Sequence, residues 1–396
     1  MTDPQLRRTA AEPAPLPGEE ILCDLRDDEG VRAALQAHLA MFRQKPAGVA
    51  CFDCESMALA AVLADDFGLP YPSLAAVGNC RNKYRSKCLW QGAGLHTPQA
   101  QLVCSAQEAV RFQHALDCPV VLKPLSGSGS ELIFVGTDAR SCRQGYQAIC
   151  RGLRQRRHQR LYMDFSPDDP LILAEGLICG AEYSCDFAVQ QGRAVVIRLT
   201  RKIPAGLGPF GTIQGYVLTS AAAEGLDTAM LDRTLAQSAA ALGIDRAVCM
   251  LDFILHEGRM VLLELAPRPG GDCLPFLLRQ AYDLDMLKLQ LDFARQKPLH
   301  LNRGGNGRPL VGLRIHARKS GVLEHIDCAG LRQDPRVRNI HLIRGQGHRI
   351  VLPPDDYDAW LLGHLLFEPE PEIDLAWQCR GLLEKIDVMV AQEREI

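Results

Sequence analysis

Residues 248–271 read VCMLDFILHEGRMVLLELAPRPGG, two apolar runs of strand length, 248–255 and 260–265, around the turn His256, Glu257, Gly258, Arg259. This is a β-hairpin pattern. Each run is interrupted by one acid, Asp252 in the first and Glu264 in the second. An unpaired carboxylate inside an apolar sheet costs several kcal/mol or takes up a proton, so a positive group belongs between the two. A turn with an odd number of residues sets positions 252 and 264 opposite one another on one face, a geometry suited to a shared divalent cation. Pairing of each acid with a nearby arginine is the simpler alternative. Directly downstream, Arg268 stands between two prolines and is followed by Gly270 and Gly271. It is a cation on a stiff mount beside exposed backbone N–H groups, suited to phosphate or to a developing oxyanion.

Other stretches could serve a polyphosphate. In VVLKPLSGSGS, residues 120–130, an apolar strand delivers Lys123 to Ser126, Gly127, Ser128, Gly129 and Ser130, a loop small enough to lie along phosphates with its amides exposed. The Walker A pattern is absent. Residues 79–90, NCRNKYRSKCLW, form a basic helix-like segment carrying Lys83. Residues 171–187 read as a strand, a break at 176–180 and a second strand, with acids at Glu175 and Glu182. Such an edge offers backbone groups to a flat heterocycle and a carboxylate to ribose hydroxyls. The strand 194–200 ends in Arg201 and Lys202 and opens into a Gly/Pro-rich loop long enough to be a mobile cover. The arginine-rich run 151–160 lacks interleaved aromatics and reads as a solvated helix end rather than a nucleic-acid contact. Cys51 and Cys54 form a lone CxxC without a second pair or flanking histidine, too little for a metal or redox assignment.

The elements that must position these residues come from a chain of 396 residues, 47% hydrophobic, enough for two or three domains with a substantial core. A net charge of -3 gives no electrostatic argument for nucleic acid or membrane binding. Fifteen cysteines, odd in number and scattered, point to reduced thiols and a cytoplasmic protein. No window is long enough to span a bilayer. Residues 1–20 lack the apolar core of a signal peptide and are expected to be disordered. Strands at 21–25 and 48–52 alternating with helices at 27–44 and 55–67 predict a small α/β domain over 21–79. Helices are expected at 227–242 and 274–294. Residues 302–307, NRGGNG, read as a linker, and 306–396 as a mostly β domain with one helix at 374–386, in which His316 is structural or solvated.

Taken as an ordered set, these motifs resemble the ATP-grasp superfamily, and within it the carboxylate–amine ligases that include L-amino acid ligases and D-alanine–D-alanine ligase. Biotin carboxylase is a more distant relative. The resemblance covers residues 80–272 and rests on Lys83, on Lys123 with the loop 126–130, on the E-x-x-x-x-G-x-E spacing of Glu175, Gly180 and Glu182, and on Asp252, Glu264 and Arg268. It implies an ATP-grasp domain at 80–305, in mixed α/β and α+β architecture, between the short N-terminal α/β domain and the β-rich C-terminal one. It also implies that ATP lies between two subdomains, with Lys83 and Lys123 on the phosphates and the glycine–serine loop over them. Glu175, Gly176, Leu177 and Ile178 would border the adenine, and Glu182 would take the ribose. Asp252 and Glu264 would hold Mg²⁺, or Mn²⁺ in its place. The implied reaction phosphorylates a small-molecule carboxylate to an acyl phosphate, which an amine then attacks. Arg268, Gly270 and Gly271 would face the oxyanion, with Arg201 or Lys202 on a carboxylate. The family's usual asparagine two residues after the second acid is Ala266 here, and the first acid is the shorter Asp252. A bicarbonate-dependent carboxylase, or a nucleotide-binding protein that has lost catalysis, are the alternative functions. The short N-terminal domain leaves an expected open sheet edge for a homodimer to pair.

Overall fold

The computed structural model describes residues 1–9, 13, 15–163, 165–168, 170–206, 208–301 and 309–391. The NRGGNG stretch expected as a linker therefore lies outside the described residues. Strands β1 (Ala100–Val103), β2 (Val120–Pro124), β3 (Phe134–Gly136) and β4 (Ile172–Gly176) form an antiparallel sheet in the order β1-β4-β2-β3. Strands β5 (Ala181–Gln190), β6 (Arg193–Pro204), β7 (Ile213–Thr219), β8 (Arg246–His256) and β9 (Arg259–Ala266) follow. They share an eight-stranded antiparallel sheet with β10 (Val311–His316), β12 (Val337–Leu342) and β14 (Leu361–Phe367). A third sheet joins β11 (Gly321–Asp327) to β13 (Arg349–Ile350) and β15 (Asp387–Ala391).

The strongly patterned elements form as expected. Asp227 caps the helix Thr228–Ala241 by accepting from Ala229 N, and Leu231, Leu235 and Ala239 of that helix bury against the eight-stranded sheet together with Phe187, Leu251 and Leu262. Asp374 caps the helix Leu375–Leu383. The single helix expected at 274–294 is two, Leu274–Tyr282 and Met286–Ala294, because Asp283 turns left-handed (φ 51°) and Asp285 caps the second.

Three expectations need correction. Residues 21–79 contain no strand beyond a one-residue bridge between Leu22 and Thr2. The apolar runs there are buried without a ladder: Leu25 packs with Val31, Leu59 and Leu63, and Cys51 and Cys54 join the core under the four-stranded sheet. With no sheet in this region, the open edge proposed for a homodimer is gone. Within residues 1–20, Pro4–Thr9 is helical rather than disordered. The 306–396 segment is not a separate β domain, since β10 pairs with β7 and extends the central sheet. Val311, Leu313 and Ile315 of β10 are all buried, which is what makes it an interior strand.

Candidate functional site

A cavity of about 410 Å³ opens between the four- and eight-stranded sheets. Of the expected residues, Lys83, Lys123, Ser126, Gly127, Ser128, Gly129, Ser130, Glu182, Lys202, Asp252, Glu264, Arg268 and Gly271 all line it. They come from segments separated by up to about two hundred residues of sequence, so only the tertiary fold brings them to one place.

The two hairpin acids meet by a route the sequence did not specify. The turn is a two-residue loop, Glu257 and Gly258, both with positive φ (49° and 76°), an arrangement that matches the twist of the flanking strands. An even loop of this kind pairs His256 with Arg259 and Phe253 with Leu262, which would set Asp252 against Leu263. A β-bulge intervenes at that point, so Asp252 pairs with Glu264. The bulge supplies the odd residue, and both carboxylates turn to the cavity. Ala266 is buried opposite Met250 and offers no ligand atom.

Each acid is met by lysine. Lys202 Nζ bridges Glu182 Oε1 at 2.6 Å and Asp252 Oδ2 at 2.7 Å, and Lys83 Nζ lies 3.1 Å from Glu264 Oε2. Burial alone would lower the Lys202 ammonium, but Asp252 and Glu182 reverse this and hold it charged. Burial raises the Asp252 carboxyl above its ordinary value against the pull of Lys202. At Glu264 burial is outweighed by Lys83 and Lys123, and its carboxyl is held low. Asp252 Oδ1 is buried without a partner. Among the described residues no group of three or more His, Cys, Asp or Glu stands together to hold a metal ion. A cation here would rest on the two register-paired acids and on oxygens of a ligand.

Glu175 is found elsewhere than expected. Its carboxylate is buried between Lys87 Nζ (2.7 Å) and Lys123 Nζ (2.8 Å), and residues 175–178 do not line the cavity. The amides of Gly176 and Leu177 already donate to Gln99 O and Pro119 O. Glu175 therefore fixes Lys123, its diagonal neighbour across β2 and β4. Lys87 went unrecognised in the sequence, although it follows Lys83 by four residues and so shares its helix face. Both sit on the helix Lys83–Gly92, whose start is fixed by Asn82 accepting from Arg85 N. Burial pushes the Lys87 ammonium down to about 8.

Arg268 is buried and lines the cavity, held by Cys54 Sγ (3.1 Å from Nε, 3.0 Å from Nη2) and by Pro269 O. Cys54, half of the discounted CxxC, is thus part of the wall. Gly270 needs correction as an oxyanion donor, because its N–H donates to Asp186 Oδ1 (2.9 Å) beneath the cavity. Asp186 also carries Arg198, in an ion pair with no exposed side-chain surface. A Cβ on Gly270 would lie 2.9 Å from Arg198 Nη2, so the close approach requires glycine. Gly271 does reach the cavity. The Gly/Pro loop between β6 and β7 touches the glycine–serine loop: a Cβ on Gly211 would lie 3.2 Å from that of Ser130.

The basic run 151–160 is partly built in rather than solvated. Arg156 is buried on Glu131 and the carbonyls of Pro354 and Asp355, and Arg160 donates to Glu55 O and Ser56 Oγ. All fifteen cysteines are free thiols. Among the described residues no helix is long and apolar enough to cross a membrane.

Two lysine-bearing sheets closing on a pair of register-matched acids define the site, and residues 116–275 of the chain match the family model of the ATP-grasp domain. The crystal structure of L-amino acid ligase from Bacillus licheniformis superposes with a TM-score of 0.72 at 19% identity, covering 94% of this chain and 88% of that one. In sequence the chain is 22% identical over 262 residues to an uncharacterized protein, y4rH, of Sinorhizobium fredii, covering 66% of this chain and 51% of that one. It is 29% identical over 133 residues to the D-alanine–D-alanine ligase of Laribacter hongkongensis, covering 33% and 37%. The matched segments thus span about half the length of the first of these relatives and just over a third of the second.

Proposed function

We propose that the protein is an ATP-dependent ligase that joins a small-molecule carboxylate to an amine, with ADP and phosphate as products. The observation that carries this reading is the pairing of Asp252 with Glu264 on a cavity that Lys83, Lys123 and Lys202 also line. Magnesium or manganese fits the donor set, since the unpartnered Asp252 Oδ1 and the cavity-facing Glu264 are hard oxygen donors. Bound there, the ion would neutralise phosphate charge and orient the terminal phosphate.

The chain's own groups account for the rest. A substrate carboxylate attacking a phosphate is an anion approaching a larger anion, and the cavity answers with fixed positive charge. Lys83 and Lys202 neutralise the acids in the free protein, and their flexible stems let them turn to phosphate oxygens when a cation takes over those acids. Lys123, anchored by Glu175, stays in place. Arg268 points a guanidinium at the cavity with its Nε edge fixed on Cys54, and the Gly271 backbone lies beside it; together they suit the oxyanion formed when an amine attacks the acyl phosphate. The Gly/Pro loop meets the glycine–serine loop of the cavity wall at Gly211 and Ser130, and closing the two over bound substrates would exclude water that hydrolyses that intermediate.

The test is ADP and phosphate release with Mg²⁺-ATP and paired carboxylate and amine panels, with the product mass determined. The expected result is ADP formation that needs both substrates, together with a new amide mass. ADP formation with bicarbonate alone would replace this reading with a carboxylase. ATP binding without turnover across the panel would replace it with a nucleotide-binding protein.

A further inference from the structure

Beside Lys202, whose cross-strand partner is Tyr216, the wall of the cavity carries a further cationic group. Arg314 on β10 and Tyr216 on β7 both line the cavity. Tyr216 pairs with Gly312, so Arg314, two residues on, is its diagonal neighbour on the same face. Arg314 is the cross-strand partner of His364 on β14. The Asp272 carboxylate spans both, accepting from Arg314 Nε and from His364 Nε2.

A salt bridge of this kind could serve the fold alone, and the count of donors argues against that. The buried arginines that do not line the cavity, Arg198 and Arg156, use all three nitrogens. Arg198 donates to Asp186, Ser184 and Thr200, and Arg156 to Glu131, Gly152 O and the carbonyls of Pro354 and Asp355. Arg314 uses Nε only, and neither Nη donates to a described group. Its side chain is 20% exposed and Asp272 11%, so the guanidinium is locked along one edge while the rest borders the cavity. The Tyr216 hydroxyl also has no partner among the described residues, and burial pushes its phenol up, so it stays a donor. Polar groups this enclosed are normally satisfied, and those left open at a cavity await a ligand. An open pair of Nη groups is the geometry that takes an oxyanion end-on.

We propose that Arg314 and Tyr216 form a subsite for an anionic group, carboxylate or phosphate, that a substrate carries in addition to the carboxylate that reacts. The assignment rests on the ligase reading for the identity of the reacting carboxylate, but its test does not require turnover. The wild type and the Arg314→Met variant are titrated calorimetrically, with Mg²⁺ and a non-hydrolysable ATP analogue present, against three matched pairs. These are L-glutamate and L-glutamine, O-phospho-L-serine and L-serine, and L-alanine and L-alaninamide. The pair that shows discrimination distinguishes a side-chain carboxylate, a phosphate and an acceptor's α-carboxylate.

The expected result is at least about a tenfold preference of the wild type for one anionic member, lost in Arg314→Met with the uncharged member and the nucleotide bound as before. Tyr216→Phe, which leaves the Arg314–Asp272–His364 contacts in place, should reduce the same preference by about threefold to tenfold. The subsite is overturned if the wild type shows no preference in any pair, if Arg314→Met keeps it, or if Tyr216→Phe leaves it unchanged. Absence of ADP release with these compounds in the wild type would count against the ligase reading and leave the binding comparison standing.

Discussion

Around the cavity three carboxylates are held by lysines, and elsewhere on its wall two arginines are held by Cys54 and Asp272. An ammonium on a four-carbon stem makes a compact, reorientable contact, whereas a guanidinium bound along one edge is fixed in direction. The lysine side is therefore arranged to exchange partners when cation and nucleotide arrive. The arginine side is pre-formed for groups whose position must not change. The contrast teaches that the same charge serves two purposes here, and each substitution below tests which purpose a residue serves.

The largest effect is expected on the exchanging side. Glu264→Gln removes one of the two register-paired oxyanions and frees Lys83. Turnover should fall by at least about a thousandfold, with the melting temperature within a few degrees of wild type. Initial-rate ADP assays at saturating Mg²⁺ read this directly. Wild-type turnover in the variant would remove the acids from the cation site.

Lys87 sharpens the comparison, because it is a lysine that does not exchange. It is fully buried on Glu175 and Leu263 O, and it holds the acid that in turn holds Lys123. Removing it leaves the buried Glu175 carboxylate with Lys123 as its one remaining lysine, so Lys87→Met should cost about 2 kcal/mol of unfolding free energy in urea. Unchanged stability of the variant would place Lys87 with the exchangeable group instead.

Legibility in the sequence followed the same division. The acids and strand lysines of the cavity were readable because each interrupts an apolar strand or ends one: Asp252, Glu264, Lys123 and Lys202 stand out against their neighbours. What could not be read was register. The bulge at Leu263 that aligns the two acids leaves no mark in composition, and the expected odd turn is in fact a two-residue loop. On the pre-formed side Arg268 was readable from its flanking prolines and glycines, but its anchor and Arg314 were not. Cys54 binds Arg268 across 214 residues and Asp272 reaches Arg314 across 42, and neither distance carries a local pattern. The N-terminal strands failed for a related reason: short apolar runs at 21–25 and 48–52 satisfy burial equally well against helices, and nothing in the sequence says which partner is offered.

At Arg268 the pre-formed reading predicts that charge without shape is insufficient. Arg268→Lys keeps the positive charge but cannot make both contacts to Cys54 Sγ while presenting a second edge. The turnover number should fall about a hundredfold with the KM for ATP within about threefold of wild type, the pattern of a group that acts on the transition state. A rise in the KM for ATP with an unchanged turnover number would move Arg268 to the exchanging side, as a nucleotide ligand.

The smallest effect is read as a pH dependence. Burial alone would raise the Asp272 carboxyl, but the hydrogen bond from His364 and the charge of Arg314 bring it down to about 2 from an ordinary 3.8. An acid whose folded value is depressed contributes stability that is fully present above its unfolded value and lost as pH falls through the folded one. For Asp272 that window runs from about pH 4 down to about pH 2. The difference of nearly two units corresponds to about 2 kcal/mol. Urea unfolding of the wild type across this window should therefore show a loss that Asp272→Asn lacks, since the amide does not titrate. Parallel pH profiles for the two proteins would mean that Arg314 is not held by an ionised Asp272. The fixed side of the cavity would then need another anchor.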